Sequence, residues 1–114
     1  MKVVVPKGDY YLGDPCYIIQ DSDWDNLLES SDCFRKPVGI VRTFQVLAFS
    51  TAFGDGEFKD NYNNSYSVDS GLIGLVPVEF NPEADSTKVS FKKPTICRSV
   101  EGVLIFGNIV IDTN

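Results

Sequence analysis

Three short segments hold the side chains with the most chemical potential. Tyr11-Leu12-Gly13-Asp14-Pro15-Cys16-Tyr17 sets a carboxylate and a thiol among aromatic rings. Thr51-Ala52-Phe53-Gly54-Asp55-Gly56 places a carboxylate between two glycines, and Val68-Asp69-Ser70-Gly71-Leu72-Ile73-Gly74 places another between apolar runs. If the three meet in space, two chemistries are open. In a binding site, backbone N–H groups at Gly13, Gly54 and Gly71 and the hydroxyls of Thr51 and Ser70 would meet a polar ligand. Asp14, Asp55 and Asp69 would orient it, and Tyr11 or Tyr17 would stack on a base. In a metal-dependent phosphodiesterase, the same three aspartates would hold magnesium and activate water. Each aspartate also has a plainer role in its turn. Asp69 is expected to cap its own turn through the N–H groups of Ser70 and Gly71.

The basic residues Lys88, Lys92, Lys93 and Arg98 cluster in one late stretch and are the candidates to meet phosphate. Between Gly8 and Phe34 stand seven acids (Asp9, Asp14, Asp21, Asp23, Asp25, Glu29, Asp32) and no base. That surface suits a partner protein with a basic site. Asp55, Glu57, Asp60 and Asn63 offer hard oxygen ligands, but their spacing does not match a calcium loop, so no metal is expected. The chain has no histidine, which removes the commonest general base and the Ser–His and Cys–His nucleophile pairs. Cys16 has no cationic neighbour in sequence to make it a thiolate, and Cys16, Cys33 and Cys97 are expected as free thiols. Neither a cofactor nor a catalytic residue is expected.

The elements that must position these residues are nearly all strands. β-branched and aromatic runs, broken by Gly, Asp and Asn, recur along the chain. Trp24, Leu27 and Leu28 form one apolar face of a short helix over residues 23–30, entered through Asp21-Ser22-Asp23. Two turns cannot persist alone, so Trp24 should be mostly buried on a sheet. Val38–Thr43 and Phe44–Phe53 read as central strands covered on both faces. Asp55-Gly56 reads as a hairpin tip, and Asp60–Asn64 as a polar turn. Pro77 marks an edge or a strand end. Gly74 marks a bulge or a close contact with Trp24 or a tyrosine. Thr95–Val100 should pair with Val103–Ile111 through Glu101-Gly102. The expected fold is all-β or β-rich α+β, an antiparallel barrel or two-layer sandwich with one short helix.

With 114 residues, 43% of them hydrophobic, the chain makes one domain with a real core. A net charge of −6 argues against nonspecific binding to nucleic acid or to an anionic membrane. No apolar run is long enough to span a bilayer, and the opening Met-Lys-Val-Val-Val-Pro-Lys is too short for a signal peptide. A cytoplasmic protein is expected.

Together, Tyr11–Tyr17, Trp24 with Leu27-Leu28, Ser50–Gly56 and Val68–Gly74 resemble a group of small uncharacterised bacteriophage and prophage accessory proteins. The similarity spans about Lys2 to Val78 and recurs weakly at Gly107–Asp112. It implies a protein made in the host bacterial cytoplasm that blunts host defence. A homo-oligomer is compatible with this, and two non-enzymatic mechanisms fit: a sponge that sequesters a nucleotide signal, and an inhibitor that binds a basic host protein. The alternatives are the phosphodiesterase and a virion or assembly component.

Overall fold

Alternating apolar residues put strands wherever the chain can bury one or both faces. The computed structural model describes residues 1–114 as eleven strands and one α-helix. The strands are β1 (Lys2–Val5), β2 (Gly8–Gly13), β3 (Val38–Val41), β4 (Phe44–Ser50), β5 (Gly56–Lys59) and β6 (Ser65–Val68). They continue as β7 (Leu72–Pro77), β8 (Lys88–Phe91), β9 (Thr95–Val100), β10 (Val103–Phe106) and β11 (Ile109–Asp112). The helix α1 covers Asp21–Ser30, and single 3-10 turns lie at Pro15–Tyr17 and Val78–Phe80.

All pairings are antiparallel. A five-stranded sheet runs β3-β4-β7-β2-β8 and a four-stranded sheet runs β1-β9-β10-β11. A separate β5-β6 hairpin meets the latter through a bridge between Asp60 and Ile111. The sheets stay open, so the molecule is layered and not a closed barrel.

The main core lies between the two sheets. Tyr10, Leu12, Leu47, Phe49, Ile73 and Leu75 face Val5, Cys97, Leu104, Phe106 and Ile111, with Phe49 and Phe106 at 5.7 Å between ring centroids. The five-stranded sheet is buried on its other face too. There Tyr11, Val41, Val46 and Val76 pack against Ile18, Ile19, Leu27 and Phe80. Adjacent residues of β2 thus serve different cores, Tyr10 and Leu12 one and Tyr11 the other, as a period of two requires.

Several expectations need correction. Asp55-Gly56 is not a hairpin tip: β4 pairs with β7, and β5 turns into β6 through Asp60–Asn64. There Asp60 accepts from the Tyr62 and Asn64 amides at 2.8 and 3.0 Å and from the Tyr66 hydroxyl at 2.7 Å. This buried network outweighs local Asp-Gly propensity. Val38–Val41 is an edge strand, not a central one. The run Val103–Ile111 breaks into two strands at Gly107-Asn108. Pro77 does end a strand. The close contact at Gly74 is made with the neighbouring strand's backbone. A methyl group there would overlap the Leu47 carbonyl oxygen, so glycine is what lets β4 and β7 approach.

The helix begins at Asp21, and its N-cap residue Gln20 makes no side-chain capping bond, so the expected aspartate and serine caps do not form. Leu27, fully buried, is its anchor. Trp24 is partly exposed, with most of its surface packed against the same core, as its place on the apolar face of the helix requires. A turn downstream adds to this cover: Asp32, Cys33 and Phe34 all take left-handed backbone angles, fixed in part by the Cys33 amide bonding the Leu28 carbonyl at 2.7 Å. That turn brings Phe34 to 5.7 Å from Trp24, centroid to centroid, at the edge of the core. Leu27→Ala should therefore cost about 2–5 kcal/mol, and Trp24→Ala about 3 kcal/mol. Urea unfolding of the two variants checks this; a loss below about 1 kcal/mol at either residue would contradict the packing.

Candidate functional site

The three glycine–aspartate turns do come together, two of them held by one carboxylate and the third joined through Thr51. Asp14 is 2% exposed and caps the 3-10 turn after β2, accepting from the Cys16 amide at 2.9 Å. Its other contacts cross to the β6–β7 turn: the Asp69 and Ser70 amides at 2.7 and 2.8 Å, and the Ser70 hydroxyl at 2.6 Å. The cap of the Asp69–Gly71 turn is thus Asp14, from 55 residues away, and not Asp69 itself. Asp69 instead accepts from the Tyr17 hydroxyl on the surface. The third segment joins through Thr51, whose amide donates to the Gly71 carbonyl at 2.9 Å and whose hydroxyl donates to the Gly54 carbonyl. The adjacent Ala52 amide donates to the fully buried Thr113 hydroxyl at 2.9 Å, tying this loop to the C-terminal strand.

The groups gathered there are spent on one another. Burial pushes the Asp14 carboxyl upward, but the Ser70 hydroxyl and the Ser70, Cys16 and Asp69 amides outweigh it, and the pKa is lowered. Burial, reinforced by the Asp14 carboxylate, pushes the Cys16 thiol up to about 12. A thiolate nucleophile is disfavoured there. The bond to Asp69 pushes the Tyr17 phenol up to about 12. Tyr11 is fully buried, with its hydroxyl on the Asn81 carbonyl at 2.6 Å, so its ring cannot stack on a ligand. Tyr17 keeps 47% of its surface exposed. Asp55 is exposed and makes no side-chain hydrogen bond. Asp14, Asp55 and Asp69 do not form a carboxylate cluster, and no group of three or more His, Cys, Asp or Glu residues stands as a metal-ligand set. The cleft beside Asp14 and Tyr17 measures about 120 Å³.

A roomier groove, of about 840 Å³, opens where the two sheets part. Its floor and walls are Val89 and Phe91 of β8, Thr95 and Ile96 of β9, and Phe106 and Ile109 beside the β10–β11 turn. Lys92 and Lys93 line it on the crossing from one sheet to the other; both are exposed, and neither makes a salt bridge. Tyr62, 60% exposed, stands at the rim. Asn61 positions that ring: its amide nitrogen donates to the Asn108 carbonyl at 3.0 Å, and its oxygen accepts from the Val110 amide at 2.8 Å. The other two basic candidates lie elsewhere. Lys88 sits 5.9 Å from the Tyr11 ring centroid, and Arg98 lies across from Lys2 on the four-stranded sheet. Tyr62, Asn61 and Asn108 were not among the residues read as functional. The only sequence signal for them is a tyrosine within the run Asp60-Asn61-Tyr62-Asn63-Asn64.

The acidic surface is also redistributed. Asp14 is internal, Asp23 pairs with Arg42 at 2.7 Å, and Asp9 accepts from the Ser90 hydroxyl. Asp21, Asp25 and Glu29 remain exposed along α1. No helix is long and apolar enough to cross a membrane.

Asp14→Asn has one acceptor oxygen where four donors converge, and should destabilise by about 2–3 kcal/mol in chemical unfolding, whereas Asp55→Ala should stay within about 0.5 kcal/mol of wild type. The pH dependence has a fixed sign. Asp14 and Asp60 both have lowered native pKa values, so the unfolded chain binds the protons more readily. Their stabilisation is complete above about pH 4, the ordinary aspartate range, and is lost as pH falls through the lower native values. Thermal melts from neutral to acidic pH should show this decline, with a shallower slope in Asp14→Asn.

Comparison with protein-family models, curated proteins and solved structures finds no match to this chain.

Proposed function

We propose that the protein is a non-enzymatic binding protein that holds a small anionic, ring-bearing ligand of the nucleotide type in the groove between its sheets. One observation carries the reading: Lys92, Lys93 and the exposed Tyr62 ring share a single opening with apolar walls at Phe91 and Ile109. Two cations without carboxylate partners suit phosphate, and an exposed ring offers a stacking surface. A volume of about 840 Å³ suits a mononucleotide or dinucleotide. The net charge of −6 disfavours a long polyanion, so a short ligand fits better than a nucleic acid strand.

Holding such a ligand without transforming it is sequestration. Taken with the resemblance to phage accessory proteins, the ligand class is a nucleotide signal of host defence, met in the host cytoplasm. The phosphodiesterase reading draws no support from Asp14, whose oxygens are occupied by four protein donors. A second reading rests on α1, where Asp21, Asp25 and Glu29 recur at intervals of four along an exposed face. That acidic ridge suits a basic site on a host protein.

Calorimetric titration with mono-, di- and cyclic dinucleotides tests the groove. Lys92→Ala with Lys93→Ala, and Tyr62→Ala separately, should each weaken binding by about tenfold or more, at an unchanged thermal midpoint because all three side chains are exposed. Added salt should weaken binding further. Absence of binding across the panel, or affinities indifferent to all three substitutions, would refute it. Loss of a host-protein interaction in Asp25→Lys with Glu29→Lys would favour the α1 reading.

A further inference from the structure

The outward face of the four-stranded sheet is apolar where an open antiparallel sheet is ordinarily polar. Strand alternation sends Val5, Cys97, Leu104, Phe106 and Ile111 into the core. It leaves Val4, Ile96, Val100, Val103, Ile105 and Val110 on the other side. Val4, Ile96 and Val100 are 57%, 48% and 46% exposed, and Val4 and Ile96 are direct cross-strand partners. The five-stranded sheet has both faces covered; the outward residues of this one belong to neither core, with Val4, Ile96 and Val100 exposed and Val103, Ile105 and Val110 partly buried.

We propose that a second copy of this chain covers it, packed face to face about a two-fold axis parallel to the strands. The placement of charge selects both the occupant and the axis. On this face the bases Lys2 and Arg98 lie opposite each other on β1 and β9, and Asp112 lies on β11 at the far edge. An axis along the strands sets β1 over the partner's β11 and β9 over the partner's β10. Each basic half then rests on the half that holds the acid and the apolar Ile105 and Val110, and like charges never meet. An axis across the strands would stack Lys2 and Arg98 on their own copies. The rest of the molecule points the same way. With a net charge of −6, two copies repel, but the acidic ridge of α1 lies beyond the five-stranded sheet, on the far side of each protomer. The apolar sheet face carries a single carboxylate.

Four strands about 4.8 Å apart and four to six residues long give a rectangle of roughly 19 by 17 Å before side-chain relief. Each copy therefore contributes several hundred Å², the low end for a specific interface. The assembly is a reversible dimer, aligned sheet on sheet.

Analytical ultracentrifugation of the full chain over a concentration series tests this. Wild type should dimerise with a Kd of about 10 to 100 µM, and Val100→Lys and Ile105→Lys should each raise it at least tenfold while leaving the circular dichroism spectrum unchanged. If either substitution unfolds the chain, Val4→Lys, at the most exposed of these valines, carries the same test. A wild type that stays monomeric to about 1 mM would overturn the proposal. So would a dimer that survives the lysine substitutions, since the sheet edges at β3 or β8 would then hold the copies together. Nucleotide titration of the Val100→Lys monomer keeps this result separate from the groove, whose lining does not include Val100.

Discussion

One buried carboxylate organises the half of the molecule that the sequence made conspicuous. Asp14 accepts three backbone amides and a hydroxyl, and these donors belong to two loops that only the folded chain brings together. A buried carboxylate with such partners favours its ionised form, and its cost of desolvation is offset only while all of them stay in place. The exit from β2, the turn into β7 and, through Gly71, the loop after β4 are held as a unit. Asp60 repeats the device in the β5–β6 hairpin, where the Tyr66 hydroxyl closes the network from the core side. Polar turns in this protein are therefore internal joints more than surface decoration.

Those joints serve a sheet that must be covered twice. β2 and β7, next to each other in the five-stranded sheet, send alternate side chains into two separate cores. Strand approach along that sheet is close enough that Gly74 faces Gly13 on one side and crowds Leu47 on the other. α1 supplies the second cover, but with little help from its own ends. No side chain caps its first turn, and Leu27 sits so close to Gly39 of β3 that a side chain there would displace it. Packing, not helix propensity, keeps this segment helical.

Open layers leave consequences that a closed barrel would not. At one end of the layers, the crossing from β8 to β9 and the turn between β10 and β11 together line the groove that Lys92 and Lys93 share. The Asn61 bridge then fixes a third element, the β5–β6 turn, against this opening. The four-stranded sheet, covered on one side only, keeps an apolar outer face. Groove and face arise from the same cause, a fold that stacks its sheets without sealing them.

Fold class, strand richness, the single helix and the role of Pro77 as a strand end were legible in the sequence, because apolar periodicity and turn residues act over a few neighbours. The meeting of the three glycine–aspartate turns was readable as a possibility in their chemistry. What each aspartate does there was not. Asp14, Asp55 and Asp69 occupy similar local contexts, yet one is a buried hub, one an exposed loop residue and one a surface partner of Tyr17. The same limit applies to Asp55-Gly56, whose hairpin propensity yields to the pairing of β4 with β7. Lys92 and Lys93 were visible as charges, but their separation from Lys88 and Arg98, and their union with Tyr62, depend on how two sheets diverge. Local chemistry determined which elements form; contacts between residues far apart in the chain decided which side chains were consumed within the fold and which were left free to bind.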